Sequence, residues 1–288
     1  MPELVAKHKG PGTYWCRGGP PLDDMPEHDD VLRELAELRR ELQQIRETVA
    51  GLAAARPTPR AAGRVRTFVE GFDEALEGGI PEGHVVLLAG PSGSMKTSLA
   101  LSMVYHNRRE GIRGLYVSLE EGRDSLLRTM DRLGMKSADD FIVDIGKLRM
   151  EHEAVEEARD WLQILKEYLA RRMEKDKIGL LVIDPLNSLH SLGELRNPRR
   201  DLFHFFTYLR GLGVTTVLVA EAEGPHDFPN HEEFLADGAI TLAYGNNPDG
   251  HVELRIRCVK MRHANHARDY FRLQFSEGRF RAQPVGTE

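Results

Sequence analysis

The sequence predicts an α/β fold: a mostly parallel central sheet covered by helices, a C-terminal antiparallel extension and, ahead of both, a long N-terminal coiled-coil helix. Three observations predict it. The runs VVLLA (85–89), LYVSL (115–119), LLVID (180–184) and TTVLVA (215–220) are almost entirely apolar, as strands buried on both faces must be. Helical patterns near 97–110, 124–133, 151–173 and 199–211 separate or follow them, and such alternation builds a parallel sheet. Later runs, AITLA (239–243), HVELRIRCVKM (251–261) and YFRLQF (270–275), follow one another through short connections, which suits antiparallel neighbours.

Taken in order, residues 1–27 carry Gly-Pro-Gly, Gly-Gly-Pro-Pro and an acidic cluster, and read as a flexible tail. Residues 28–55 read as the coiled-coil helix. Val31, Leu35, Leu38, Leu42, Ile45, Val49 and Leu52 recur at alternating steps of four and three. With Leu35, Leu42 and Val49 at a, Glu34 and Glu41 fall at g and Arg39 and Arg46 at e, so a parallel partner would pair opposite charges. One amphipathic helix packed on its own domain shows a similar stripe and stands as the alternative. Arg56-Pro57-Thr58-Pro59 ends the helix; 56–66 reads as a linker, 67–282 as the compact domain and 283–288 as a flexible tail.

The chain has 288 residues, 41% hydrophobic and 29% charged, with a formal net charge of −6. That composition is globular, and the acidic balance argues against nucleic acid or an anionic membrane as a general partner. No run approaches the roughly 20 apolar residues that cross a bilayer, and the N-terminus lacks a signal peptide's apolar core, so cytoplasmic residence is expected. Cys16 and Cys258 lie far apart without metal-ligand spacing, which excludes a disulfide framework or a zinc site as an expectation.

The candidate site begins at Gly90-Pro91-Ser92-Gly93-Ser94-Met95-Lys96-Thr97-Ser98. The segment follows a buried strand and opens a helix, the setting of the phosphate-binding pattern G-x-x-x-x-G-K-[ST], with Met95 replacing the second glycine. Backbone N–H groups from Ser92 to Thr97 can face a phosphate, and the helix N-terminus adds attraction. Lys96 is placed to reach β- and γ-phosphates and the Thr97 hydroxyl to bind Mg²⁺. Gly93 gives the turn its freedom. At position 95 helical φ and ψ are expected, which an unbranched Met tolerates with its side chain turned from the phosphates. Asp184 ends LLVID, where a Mg²⁺-holding carboxylate is expected. Glu120 and Glu121 follow LYVSL at the carboxyl end of a core strand, the side where such sheets bind ligands. One of them, Glu120 first and Glu121 in reserve, can orient or deprotonate a water.

Together these segments resemble the KaiC-like branch of the RecA-type ATPases, from about Val69 to Phe280. EGFDEALEGGIPEGHVVLLAGPSGSMKTS is similar to that family's entry segment, YVSLEEG to its catalytic glutamate pair, and LLVIDPLNSL to its Walker B strand. RRDLFHFFTYLRGLGVTTVLVAE, FLADGAITL and VKMRHANHARDYFRLQFSEGRF resemble the remainder. The resemblance implies a RecA-like P-loop NTPase core, ATP and Mg²⁺ as cofactors, and a ring, usually of six subunits. It also implies that Lys260, Arg262 and His266, which fit the pattern Lys-x-Arg-x-x-x-His, reach a neighbour's nucleotide. A solvated basic strand and a nucleic-acid patch spanning Arg255 to Arg272 are the competing readings of that segment. The circadian clock protein of this family has two tandem ATPase halves; this chain has one. Around His231-Glu232-Glu233-Phe234 it resembles the half without the phosphorylated Ser-Thr pair, so autophosphorylation there is not expected.

Three functions follow as expectations: a slow, oligomeric Mg²⁺-dependent ATPase with a regulatory or assembly role; a non-hydrolysing nucleotide-dependent scaffold, which Met95 favours; and a recombinase-like DNA-binding ATPase. Self-association is the expected partnership, with a regulatory protein as a further partner.

Overall fold

The computed structural model describes residues 63–136, 140–147, 161–189, 197–224, 228, 230–247 and 249–285. The tail and the coiled-coil segment, with the self-pairing read from it, lie outside the described residues, as does the first part of the helix expected over 151–173.

Each apolar run forms a strand: β4 (Val85–Gly90), β5 (Gly114–Ser118), β7 (Leu180–Asp184) and β8 (Thr215–Glu221). Around them come β1 (Arg64–Val65), β2 (Val69–Glu70), β3 (Ile80–Pro81), β6 (Ile142–Asp144), β9 (Gly238–Asn246), β10 (Val252–Met261), β11 (Phe271–Ser276) and β12 (Arg279–Pro284). The helices are α1 (Lys96–Arg109), α2 (Arg123–Arg132), α3 (Trp161–Asp176), α4 (Pro198–Gly211) and the single turn α5 (Glu232–Leu235). β1 and β3 pair as a small antiparallel ribbon; the other ten strands form one sheet in the order β2-β12-β11-β10-β9-β4-β8-β7-β5-β6. From β9 to β6 every pairing is parallel, and β10, β11 and β12 continue antiparallel.

Two-residue periodicity sorts the core into two layers. Val86 and Leu88 face the same side as Tyr116 and Val182 and pack with Leu99, Leu101 and Val104 of α1 and Leu126 and Met130 of α2. Val85, Leu87 and Ala89 face the other side with Leu115, Val117, Leu181 and Ile183, under Leu165 and Leu169 of α3 and Phe205, Phe206 and Leu209 of α4. Both faces are covered, which is why these strands carry no polar alternation. Local signals fix the ends: the Asn197 side chain accepts from Arg200 N at 3.2 Å and Pro198 opens α4. Asp73, buried in the GFD motif, accepts from Thr67 N and Thr67 Oγ1, both at 2.7 Å, and from Phe68 N at 3.1 Å, tying the entry loop together.

Three expectations shift. AITLA lies in β9, which pairs parallel with β4 and antiparallel with β10, so it is the junction of the parallel core and the extension rather than a member of the extension alone. β1 falls inside the stretch read as linker, held by Val65 opposite Ile80. β12 carries regular pairing through Pro284, opposite Phe271, into the stretch read as a tail. Two-residue and proline-ended strands are fixed by pairing, which leaves no periodic trace in composition. No described helix is long and apolar enough to cross a membrane.

Candidate functional site

Register gathers the candidate residues at the carboxyl ends of the parallel strands. Ser118 pairs with Asp184 and Gly90 with Glu221, so β5 and β7 end together, and β4 and β8 run on together just beyond them. The chain leaving β4 runs through the glycine-containing loop into α1, and a cavity of about 360 Å³ opens there. The loop from Ser92 to Ser98 lines it together with Glu120, Glu121, Asp184 and Glu221. Charged groups from four separate stretches of the sequence thereby share one crevice, where sheets of this kind take ligands.

Within the loop, the Pro91 carbonyl accepts from Ser94 Oγ at 2.7 Å, Ser94 N at 3.3 Å and Lys96 Nζ at 2.8 Å. Lys96 therefore folds over its own loop, and that ammonium is the group a phosphate would draw away. Burial lowers its pKa, opposed by the Glu221 and Asp184 carboxylates. At Gly90 an added Cβ would sit 2.7 Å from the Leu242 carbonyl oxygen, so the loop can leave β4 only from a residue without a side chain. Gly93 has φ +78°, the left-handed region in which glycine carries no steric penalty.

Met95 corrects an expectation. Its backbone is left-handed, φ 66° and ψ 20°, instead of helical, and α1 starts one residue later at Lys96. The glycine that the pattern asks for supplies this conformation without cost; a residue with a Cβ adopts it at about 1–2 kcal/mol. Met95 packs half-buried against the core layer under α1 and also borders the cavity.

Asp184 alternates with Val182 and Leu180 on the α1 side of β7, so its carboxylate meets the start of that helix. Thr97 Oγ1 donates to Asp184 Oδ2 at 2.8 Å. The Tyr116 hydroxyl, fully buried on the same face of β5, donates to the same oxygen. Burial raises the Asp184 pKa against the pull of these two hydrogen bonds, and burial with the Asp184 charge pushes the Tyr116 phenol well above its usual value. Glu120 accepts a hydrogen bond from Ser188 Oγ at the mouth of the cavity. Glu121 lies beside it, its backbone carbonyl accepting from Ser118 Oγ at 2.6 Å.

Lys260 and Arg262 converge on one segment, although not as two residues of one strand face. The β9–β10 register shifts between Cys258 and Lys260, and Arg262 lies beyond the end of β10. Lys260 Nζ donates to the carbonyls of Glu233 (3.0 Å) and Ala236 (2.7 Å), and Arg262 pairs with Asp237 at 3.0 Å. Arg210 shares that Asp237. His266 Nδ1 instead meets the Ala267 carbonyl at 2.8 Å. None of the three lines the chain's own cavity.

Sequence reasoning missed Tyr116, Ser188 and Glu221. Glu221 had a signal, since it ends TTVLVA as Asp184 ends LLVI. Tyr116 had a weaker one: two positions before Ser118, it shares the face from which Asp184 emerges. Ser188 had none, because its meeting with Glu120 depends on the 3-10 turn after β7.

Comparison with known proteins gives a consistent placement. A family model described as "ATPase: KaiC" matches residues 65–279. The circadian clock oscillator protein KaiC of Rippkaea orientalis is 31% identical over 201 residues, covering 64% of this chain and 37% of that protein. The match thus spans well under half the length of that relative. A UPF0273 protein of Thermotoga maritima is 28% identical over 218 residues, 71% of this chain and 89% of its own. The crystal structure of a KaiC-like protein from Pyrococcus horikoshii superposes with a TM-score of 0.67 at 29% identity, over 77% of this chain and all of that one. The architecture is therefore the RecA-like α/β fold, and with a match that runs from β1 to the start of β12, the chain belongs to the KaiC ATPase family.

Proposed function

We propose that this protein binds ATP with Mg²⁺ at the start of α1 and hydrolyses it slowly, as a self-associating ATPase whose nucleotide state controls assembly or a regulatory partner. The observation that carries this reading is the Thr97–Asp184 hydrogen bond of 2.8 Å inside a cavity that also holds Lys96 and Glu120. Thr97 and Asp184 offer adjacent oxygen donors, the hard-ligand chemistry that Mg²⁺ takes. When bound, Mg²⁺ would neutralise charge on the phosphate oxygens. Loop amides from Ser92 to Thr97 and the Lys96 ammonium bind the phosphates. Glu120, oriented by Ser188, holds and accepts the proton of an attacking water, with Glu121 in reserve.

Lys260, Arg262 and His266 are proposed to act on the nucleotide of a neighbouring copy within a hexameric ring. Supporting this, all three lie away from their own chain's cavity. Self-association is tested by sizing the protein with and without ATP, for wild type and for Lys260→Ala with Arg262→Ala. ATP-dependent assembly weakened in the double variant is the expected result; identical elution of all samples counts against the ring.

The scaffold reading is favoured by Met95, whose left-handed backbone departs from a glycine-built loop. DNA binding through residues 255–272 gains no support: Arg255 and Arg272 both pair with Glu253, at 2.8 and 2.6 Å, and Arg262 with Asp237. Titration calorimetry with ATP and Mg²⁺ tests the binding half of the proposal. Binding by wild type that Lys96→Ala weakens at least about tenfold is expected, the loss of one charge-assisted contact; equal binding by both would remove the loop from the site.

A further inference from the structure

At the far end of α1 from the phosphate loop lies a second cavity, of about 740 Å³. Fourteen helical residues place it roughly 20 Å away, on the side where β5 begins. Arg108, Arg109, Arg113, Lys136 and Arg172 line it, against two carboxylates, Asp140 and Asp176.

Both carboxylates are already engaged. Arg108 holds Asp140 through two hydrogen bonds of 2.8 and 2.7 Å, and Arg172 holds Asp176. Arg109 lies over the Tyr105 ring at 5.8 Å, Arg113 donates to the Asp176 backbone carbonyl at 3.1 Å, and Lys136 has no ion pair among the described residues. Among the described residues, three positive charges are thus left without a counter-charge on one concave wall, in a chain whose net charge is −6. The negative end of α1 accounts for Arg108 and Arg109 at most; Arg113, Lys136 and Arg172 arrive from other segments. Arg109 also borders an adjoining cavity of about 320 Å³ with Arg66 and Arg279. In that adjoining cavity the other charges are matched, Glu70 pairing with Arg279 and Glu110 with Arg66.

We propose that the larger cavity is a second anion site, binding a compact polyphosphate of nucleoside-triphosphate size separately from the phosphate loop. Its volume falls within the range of small-molecule sites, about 300–1,000 Å³. Guanidinium forks match phosphate oxygens in pairs, and three uncompensated cations suit a ligand with several negative charges. Tyr105 and Ile178 add an aromatic and an apolar surface to the wall. The acidic balance of the whole chain disfavours a long polyanion and leaves a compact one.

The test is titration calorimetry of full-length Lys96→Ala, in which the loop site is weakened at least about tenfold, with inorganic tripolyphosphate and, in parallel, ATP without metal. One equivalent of tripolyphosphate is expected to bind. Affinity should drop at least about tenfold when Arg109→Glu and Lys136→Glu are added, and should survive Arg109→Lys. Tighter binding of ATP than of tripolyphosphate identifies a nucleotide as the ligand; equal binding identifies the bare polyphosphate. Absence of binding in Lys96→Ala, or binding that ignores the double substitution, overturns the proposal. So does a single-stranded oligothymidylate that binds through the same residues while tripolyphosphate does not. Arg109 and Lys136 are exposed, and an unchanged circular dichroism spectrum confirms that the variants fold.

Discussion

The Thr97 hydroxyl donates to Asp184 Oδ2 across 2.8 Å, joining the first turn of α1 to the end of a strand 87 positions later. That one hydrogen bond aligns the helix that leaves the phosphate loop with the carboxylate that ends β7. Replacing Asp184 by Asn keeps the size and removes the charge. ATP turnover should fall at least about 100-fold, the scale on which loss of one preorganised electrostatic contact acts, while the melting temperature stays close to wild type. Phosphate release and thermal melting, measured together, check this.

The Tyr116 hydroxyl donates to Asp184, and on the proposed function it is expected to act as a positioning residue through that carboxylate. Tyr116→Phe fills the same buried space but leaves Oδ2 with Thr97 as its only donor of the two. A hydrogen bond to a charged group contributes about 1.5–3 kcal/mol, so urea unfolding should show a loss of that order. The Mg²⁺ concentration for half-maximal turnover should also shift, a readout that a purely structural role for the phenol would leave in place.

Met95→Gly trades three effects. Relief of left-handed strain favours the variant by about 1–2 kcal/mol. Glycine's extra freedom in the unfolded chain costs about 0.5–1 kcal/mol, and the packing of the thioether on the core is lost. These offset, so stability should change little and nucleotide binding should persist. Met95→Val, β-branched at positive φ, should be clearly less stable than either. A variant series in urea, with ATP affinity measured alongside, tests the assignment; binding seen in the Gly variant alone would contradict it.

How much of this was readable beforehand depends on how each residue is placed. Lys96, Thr97, Glu120 and Asp184 were legible because each follows or ends an apolar strand, and strand ends carry sequence-local signals. Parallel register then brought them together, as Ser118 opposite Asp184 and Gly90 opposite Glu221 show. The left-handed backbone at Met95 was not legible, because loop conformation is decided by closure between β4 and α1 rather than by the preference of one residue. Nor was the capture of Lys260 by the Glu233 and Ala236 carbonyls, which depends on the irregular register at Cys258–Lys260 and on the chain path around α5.

Asp237 accepts from Arg210, Arg262 and Val85 N. Burial alone would raise its pKa, but the Arg210 hydrogen bond, the Val85 amide and the nearby charge bring it below the ordinary carboxylate value. A carboxyl depressed in the folded state stabilises above its unfolded pKa, about 3.9, and loses that contribution as pH falls through the folded value. Asp237→Asn should therefore be less stable than wild type at neutral pH, and the gap should narrow below about pH 4. Chemical unfolding across pH 3 to 7, within about ten minutes of mixing to limit aggregation, reads the difference.

Cys258 is buried, and its thiol is pushed up to about 12 by that burial. Alkylation by iodoacetamide at pH 8, about four units lower, should leave it unmodified in the folded protein and modify it in denaturant. Peptide mapping distinguishes it from Cys16.

The most direct measurement is steady-state phosphate release from ATP and Mg²⁺ by wild type, Glu120→Gln and Lys96→Ala under identical conditions. Wild type should turn over steadily, Glu120→Gln should bind ATP yet release phosphate about 100-fold more slowly, as loss of a general base requires, and Lys96→Ala should do neither well. Equal release by all three proteins, or none by wild type that has bound ATP, would contradict hydrolysis at this site.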